Sequence, residues 1–118
     1  MIEHKINREL ADVITNALED GKAIDVKRLE VSQMTTITDF MIVASGGSNR
    51  QVRALTERVV DAARENGVKP LGREGEVGGE WVLVDFGDVV LHVMQPETRE
   101  FYQLEKLWET QALETQTM

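Results

Sequence analysis

Residues 72–108 read GREGEVGGEWVLVDFGDVVLHVMQPETREFYQLEKLW, and two apolar runs in this stretch flank the turn residues Gly87 and Asp88. A tight reversal there pairs Phe86 with Val89, Val84 with Leu91 and Val82 with Val93, so one face of the hairpin is wholly apolar. The alternating positions lie on the other face and set Trp81 across from Met94, Leu83 from His92 and Asp85 from Val90. That second face is neither plain core nor plain solvent surface, and it suggests docking more than catalysis. Spacing leaves two readings of it open. Either a helix covers it as a second core layer, or the hairpin lies at a sheet edge, where Trp81 and Met94 form an apolar patch for a protein partner.

Upstream, Phe40 to Ser45 read FMIVAS, a run suited to a strand buried on both faces, which requires helices covering the sheet. Gly46 and Gly47 make a turn, and Ser48 or Asn49 can cap a helix whose stripe is Val52, Leu55, Val59, Val60 and Ala63, ended by Asn66 and Gly67. Before this strand, Ile6, Leu10, Val13, Ile14, Ala17 and Leu18 recur at helical spacing, with Gly21 as a natural stop. Ile24, Val26, Leu29 and Val31 follow in a strand-like run, and Ser32 to Thr38 reads as a polar loop.

Between Gly67 and Glu80, four glycines and three glutamates predict a mobile loop with one short strand near Leu71. Pro96 permits a last helix from about Glu97, with Phe101, Leu104, Leu107 and Trp108 near one face and Arg99, Tyr102 and Lys106 near another. One domain over residues 1–110 is expected, with a polar, frayed tail at 111–118. The fold class is α/β: a single domain with a mixed β-sheet flanked by α-helices.

The 118 residues carry 13 Lys and Arg against 21 Asp and Glu, a formal charge of -8, with 42% hydrophobic and 29% charged residues. Such a charge repels phosphate backbones and anionic membranes and attracts basic protein surfaces. No sequence-specific nucleic-acid binding is expected, and Arg50, Arg53 and Arg58 read as a solvated helix face. The chain has no cysteine, which removes disulfides and thiolate chemistry, and no stretch approaches the roughly 18 apolar residues of a membrane span. A cytoplasmic protein without a targeting segment is the expectation.

A search for chemistry finds weak signals. The turn from Ser45 to Ser48 could hold an anion at a helix N-terminus, yet it lacks the lysine and spacing of a phosphate loop. A nucleotidyl transferase also needs closely spaced carboxylates for magnesium, and Asp85 and Asp88 flank a turn instead, where Asp88 serves the turn through its side chain. His92 has no histidine cluster and no assignable nucleophile around it, so neither zinc nor a catalytic triad is supported. No enzyme activity, cofactor or metal is expected.

The motifs Asp39 with FMIVASGGSNRQV, Glu74 and Gly75, WVLVDFGDVVLHVM, and RxFYxLExLW from Arg99 to Trp108 strongly resemble the ribosomal silencing factor (Iojap-related) family. The resemblance covers about residues 39–108. It implies a nucleotidyltransferase-like mixed sheet without the catalytic carboxylates, binding to the large ribosomal subunit through ribosomal protein fourteen, and a steric block on subunit joining that lowers translation when nutrients are scarce. A role in large-subunit assembly is attributed to organellar relatives; a homodimer formed through the apolar patch is a competing reading, one that could also coexist with ribosome binding. In that light the candidate partner-binding residues are Glu74, Trp81, Leu83, Asp85, His92, Met94, Arg99 and Tyr102.

Overall fold

A computed structural model describes the backbone of residues 2–107 and the side chains of residues 9–107. The side chain of Ile6, and Trp108 with the tail at 111–118, lie outside the described residues. The elements are α1 (Ile2–Asp20), β1 (Ile24–Glu30), β2 (Phe40–Ser45), α2 (Asn49–Glu65), β3 (Gly72–Glu74), β4 (Trp81–Asp85), β5 (Val89–Met94) and α3 (Pro96–Tyr102).

The hairpin forms in the register that its alternation dictates. Trp81 pairs with Met94, Val82 with Val93, Leu83 with His92, Val84 with Leu91 and Asp85 with Val90. Phe86 N donates to Val89 O at 2.9 Å, which closes the turn. Gly87 takes the left-handed region at φ 89, the conformation required at the first central position of a II′ turn and one that a side chain resists. The carboxylate serving this turn is Asp85, whose Oδ1 accepts from Gly87 N at 2.7 Å. Asp88 contributes instead its backbone carbonyl, which accepts from the amides of Asp39 and Phe40 and so ties the hairpin to the start of β2.

The sheet order is β1-β2-β5-β4-β3. Only β2 and β5 run parallel; the other neighbours are antiparallel. The hairpin therefore does not lie at a sheet edge. β5 is central, because the apolar run of β2 pairs with it along six residues, and β3 covers β4, with Glu74 opposite Leu83. Every residue of β2 is buried, as its continuous apolarity requires.

One face of the sheet holds the main core. Phe40, Ile42 and Ala44 of β2, Val82 and Val84 of β4, and Val89, Leu91 and Val93 of β5 pack there against Leu10, Ile14 and Leu18 of α1 and Val52, Leu55, Val59 and Val60 of α2. Truncating Ile14 or Leu55 to Ala would cost about 2–5 kcal/mol, since neither retains appreciable surface. α1 stops at Asp20, and the left-handed residue after it is Lys22 rather than Gly21. Gly21 lacks a side chain for another reason: a Cβ there would stand 2.7 Å from Leu55.

The opposite face is smaller and only partly helix-covered. Val31, Met41, Val43 and Met94 form a second cluster, with Leu29, Met34, Trp81 and Leu104 packed against it. α3 begins with Pro96 in its first turn and ends at Tyr102, where Gln103 turns left-handed at φ 48. Residues 104–107 are helical again after this break. The single stripe read through Phe101, Leu104 and Leu107 is thereby split: Leu104 faces the cluster, while Phe101 is 79% exposed and Leu107 is also exposed.

Candidate functional site

Trp81 starts β4 half-buried, with Met94 directly across the ladder. Its indole Nε1 donates to Nδ1 of His92 at 3.0 Å, and the two ring centroids are 5.9 Å apart. Tyr102, at the end of α3, tilts over the same indole at 4.9 Å, and Phe101 meets Tyr102 edge-on at 5.0 Å. Trp81 and Leu83, with Glu74 and Gly75 from β3 and its loop, line a shallow hollow of about 250 Å³. Strand alternation puts Trp81 and Leu83 on one face, and the pairing of Glu74 with Leu83 brings a carboxylate to its rim.

The eight candidate residues divide by depth. Glu74 and Tyr102 are exposed, and Trp81, Leu83 and Asp85 are half-buried. Met94 has no exposed surface, so it has no area left to offer a partner and instead supports Trp81 from beneath. His92 is buried too, as the acceptor that orients the indole. Burial pushes the His92 imidazole down from 6.5 to about 4, against the opposing pull of the Glu105 carboxylate, which leaves Nδ1 free to accept. The covered reading holds at Met94 and His92, and the sheet-edge reading fails because β3 covers β4 and Met94 is buried; Trp81 and Leu83 alone of these four keep part of their surface open.

Arg99 also lies inside. Its side chain is 7% exposed, and its guanidinium donates to Glu105 Oε1 at 2.8 Å and to Ser45 Oγ at 3.1 Å. Nη2 comes within 3.7 Å of Asp25. The pair ties the segment after Gln103 back to the ends of β1 and β2. Burial alone would raise the Glu105 carboxyl, but the hydrogen bond and charge of Arg99 outweigh it and hold Glu105 below its ordinary range. Asp85 stands apart at the other end of β4, engaged by the turn.

Helical spacing places Phe101 on one face with Leu104, and nothing in Gln103 announces the left-handed stop that leaves Phe101 outside beside Tyr102. Sequence reasoning also missed how the Gly67 to Glu80 segment is held. Arg53 of α2, read as part of a solvated row, donates to the carbonyls of Glu76 and Val77 at 2.9 and 2.6 Å. That segment is anchored to α2, contrary to the mobile loop that its composition predicts.

The glycine turn before α2 is spent internally. Gly46 N donates to Met94 O at 3.1 Å and Gly47 N to Gln51 Oε1 at 2.6 Å. Ser48 caps α2 by accepting from Gln51 N at 3.1 Å. The amides of Gly46, Gly47 and Gln51 thus already have partners within the chain. Among the described residues, no group of three or more His, Asp or Glu side chains could hold a metal ion. No described helix is long and apolar enough to cross a membrane.

A family model described as ribosomal silencing factor during starvation matches residues 4–118. The chain belongs to this family. A ribosomal silencing factor from Chromobacterium violaceum is 48% identical over 101 residues, covering 86% of this chain and 83% of the relative. A crystal structure of a protein from that organism shares 48% identity and superposes with a TM-score of 0.85, covering 86% of this chain and 85% of the other. A mouse relative named mitochondrial assembly of ribosomal large subunit protein 1 is 32% identical over 108 residues, covering 89% of this chain and 47% of the relative. Ribosomal silencing factors are named for a regulatory role rather than a catalytic one, and the mixed sheet with its three helices is the architecture seen in their structures.

Proposed function

We propose that this silencing factor binds the large ribosomal subunit through ribosomal protein fourteen and sterically blocks joining of the small subunit, lowering translation under nutrient limitation. The observation that carries this reading, beyond family membership, is the half-buried Trp81, held by His92 below and Tyr102 beside it, next to the hollow it shares with Glu74 and Leu83. A fixed indole with part of its surface in water, bordered by a carboxylate, suits a basic protein surface: the ring supplies apolar area and Glu74 pairs with Lys or Arg.

The net charge of -8 favours encounter with such a surface. Neither a cofactor nor turnover enters this action, and a cytoplasmic location goes with it. The test is direct titration of purified ribosomal protein fourteen. Trp81→Ala should lose at least ~2 kcal/mol of binding while still folding; full-strength binding by that variant would remove Trp81 from the interface.

A second reading, a part in assembling the large subunit, is favoured by the name of the mouse relative. Both readings use the same docking face, and depletion followed by a count of immature large subunits separates them. A homodimer burying the Trp81 face would compete with ribosome binding, so raising protein concentration would then lower the fraction able to dock.

A further inference from the structure

Among the described residues, no large apolar side chain is more exposed than Val77, at 94%. Single exposed apolar residues are ordinary. What distinguishes this one is the amount of structure that fixes its backbone. Arg53 Nε and Nη2 hold the carbonyls of Glu76 and Val77, and Gly79 N closes the loop on Gly75 O at 3.1 Å. Arg73 holds the Glu76 carboxylate at 2.6 and 2.9 Å. Gln95 joins Gly79 to Asn49 of α2 and donates its own amide to Glu80 O. A Cβ on Gly75 would stand 2.0 Å from Trp81 O, so the loop lies directly against the strand that carries the indole.

Ordering a loop costs conformational entropy, and here no burial of Val77 offsets it within the chain. We infer that residues 75–79 are a second contact of the docking face, on which Arg53 presents Val77 to a shallow apolar hollow in a basic protein surface. This rests on the docking reading above and extends it to residues outside the Trp81 patch. Charge selects the partner. Glu74 and Glu80 flank the loop, and their carboxylates make no ion pair among the described residues, so they face a partner carrying Lys or Arg beside that hollow and would repel a phosphate backbone. Gly75 also lines the Trp81 hollow, which makes the two contacts continuous. Arg53 is a positioning residue, since it acts through Val77.

The experiment is cosedimentation of the full chain with isolated large ribosomal subunits, comparing wild type, Val77→Ala, Arg53→Gln, the double variant and Trp81→Ala, with thermal midpoints recorded for each. Val77→Ala should weaken binding about fivefold or more through lost apolar burial while leaving the midpoint unchanged. Arg53→Gln should weaken binding similarly, Arg53→Lys should restore only part of it, and the double variant should be little weaker than either single one, because both remove the same contact. Unchanged affinity of Val77→Ala overturns the inference while leaving the docking reading intact if Trp81→Ala is still impaired. Additive losses overturn the role given to Arg53. A wild-type chain that does not pellet with the large subunit overturns the docking reading, and this inference with it.

Discussion

The indole Nε1 of Trp81 donates to the imidazole Nδ1 of His92 across the β4–β5 pair at 3.0 Å, so the side chain best placed to meet a partner is aimed by one that is itself buried. The bond needs an unprotonated Nδ1, and this links the proposed docking face to pH.

His92 titrates near 4 in the fold and near 6.5 when unfolded. The unfolded chain therefore binds more protons as pH falls from 6.5, and the fold loses up to about 3 kcal/mol by pH 4 through this group, with no contribution above pH 7. Glu105, held below its ordinary 4.5, stabilises the fold above that value and withdraws its share only as pH falls further. The window between 6.5 and 4.5 thus isolates His92. Urea unfolding across it should show a steady loss in wild type and a flatter profile in His92→Gln; equal slopes would refute the assignment.

Arg99 and Glu105 form a buried ion pair, and removing one partner strands the other. Arg99→Met should cost about 3–5 kcal/mol, while Arg99→Met with Glu105→Leu should recover much of it. Equilibrium unfolding of the two singles and the double decides this. Because the pair secures the segment that carries Leu104 onto the second cluster, the single variant should also increase solvent exposure of Trp81.

Gly75 takes φ 86 with the carbonyl of Trp81 immediately beside it. Gly75→Ala should cost roughly 1–3 kcal/mol from backbone strain alone, with more from the clash. The perturbation should be local, visible as faster amide exchange in β3 and the start of β4 while α1 and α2 stay protected. Unchanged exchange at Trp81 would contradict this geometry.

Glu74 is exposed at the rim of the Trp81 hollow. Glu74→Gln should weaken binding to ribosomal protein fourteen at low salt by less than about 1 kcal/mol, and the two proteins should converge as ionic strength rises. A loss that persists at high salt would mean a buried contact rather than a rim charge.

Much of this was legible in the chain because the local signals are strong. Period-two alternation around Gly87 dictates the hairpin register, the unbroken run from Phe40 to Ser45 announces a fully buried strand, and Ser48 with the stripe after it defines α2. The remainder depends on contacts between distant segments. Alternation says which face Met94 and His92 occupy, but not that Leu104 and its neighbours will cover that end of the face. Arg99 reads as polar helix surface and becomes buried only because Ser45 and Glu105 meet it. The glycine-rich segment reads as mobile because its restraint, Arg53, comes from another element. Pattern and resemblance together point to Trp81, Leu83 and Glu74, which the structure places around one hollow; the outward placement of Phe101 is not legible, since the left-handed Gln103 has no sequence signal.

The most direct test is subunit joining: purified large and small ribosomal subunits are mixed with increasing amounts of this protein, magnesium is raised, and bound protein and joined ribosomes are measured in one gradient. The account predicts that joining falls in proportion to occupancy of the large subunit, and that Trp81→Ala restores joining to the extent that it lowers occupancy. Normal joining by large subunits saturated with the protein would contradict it.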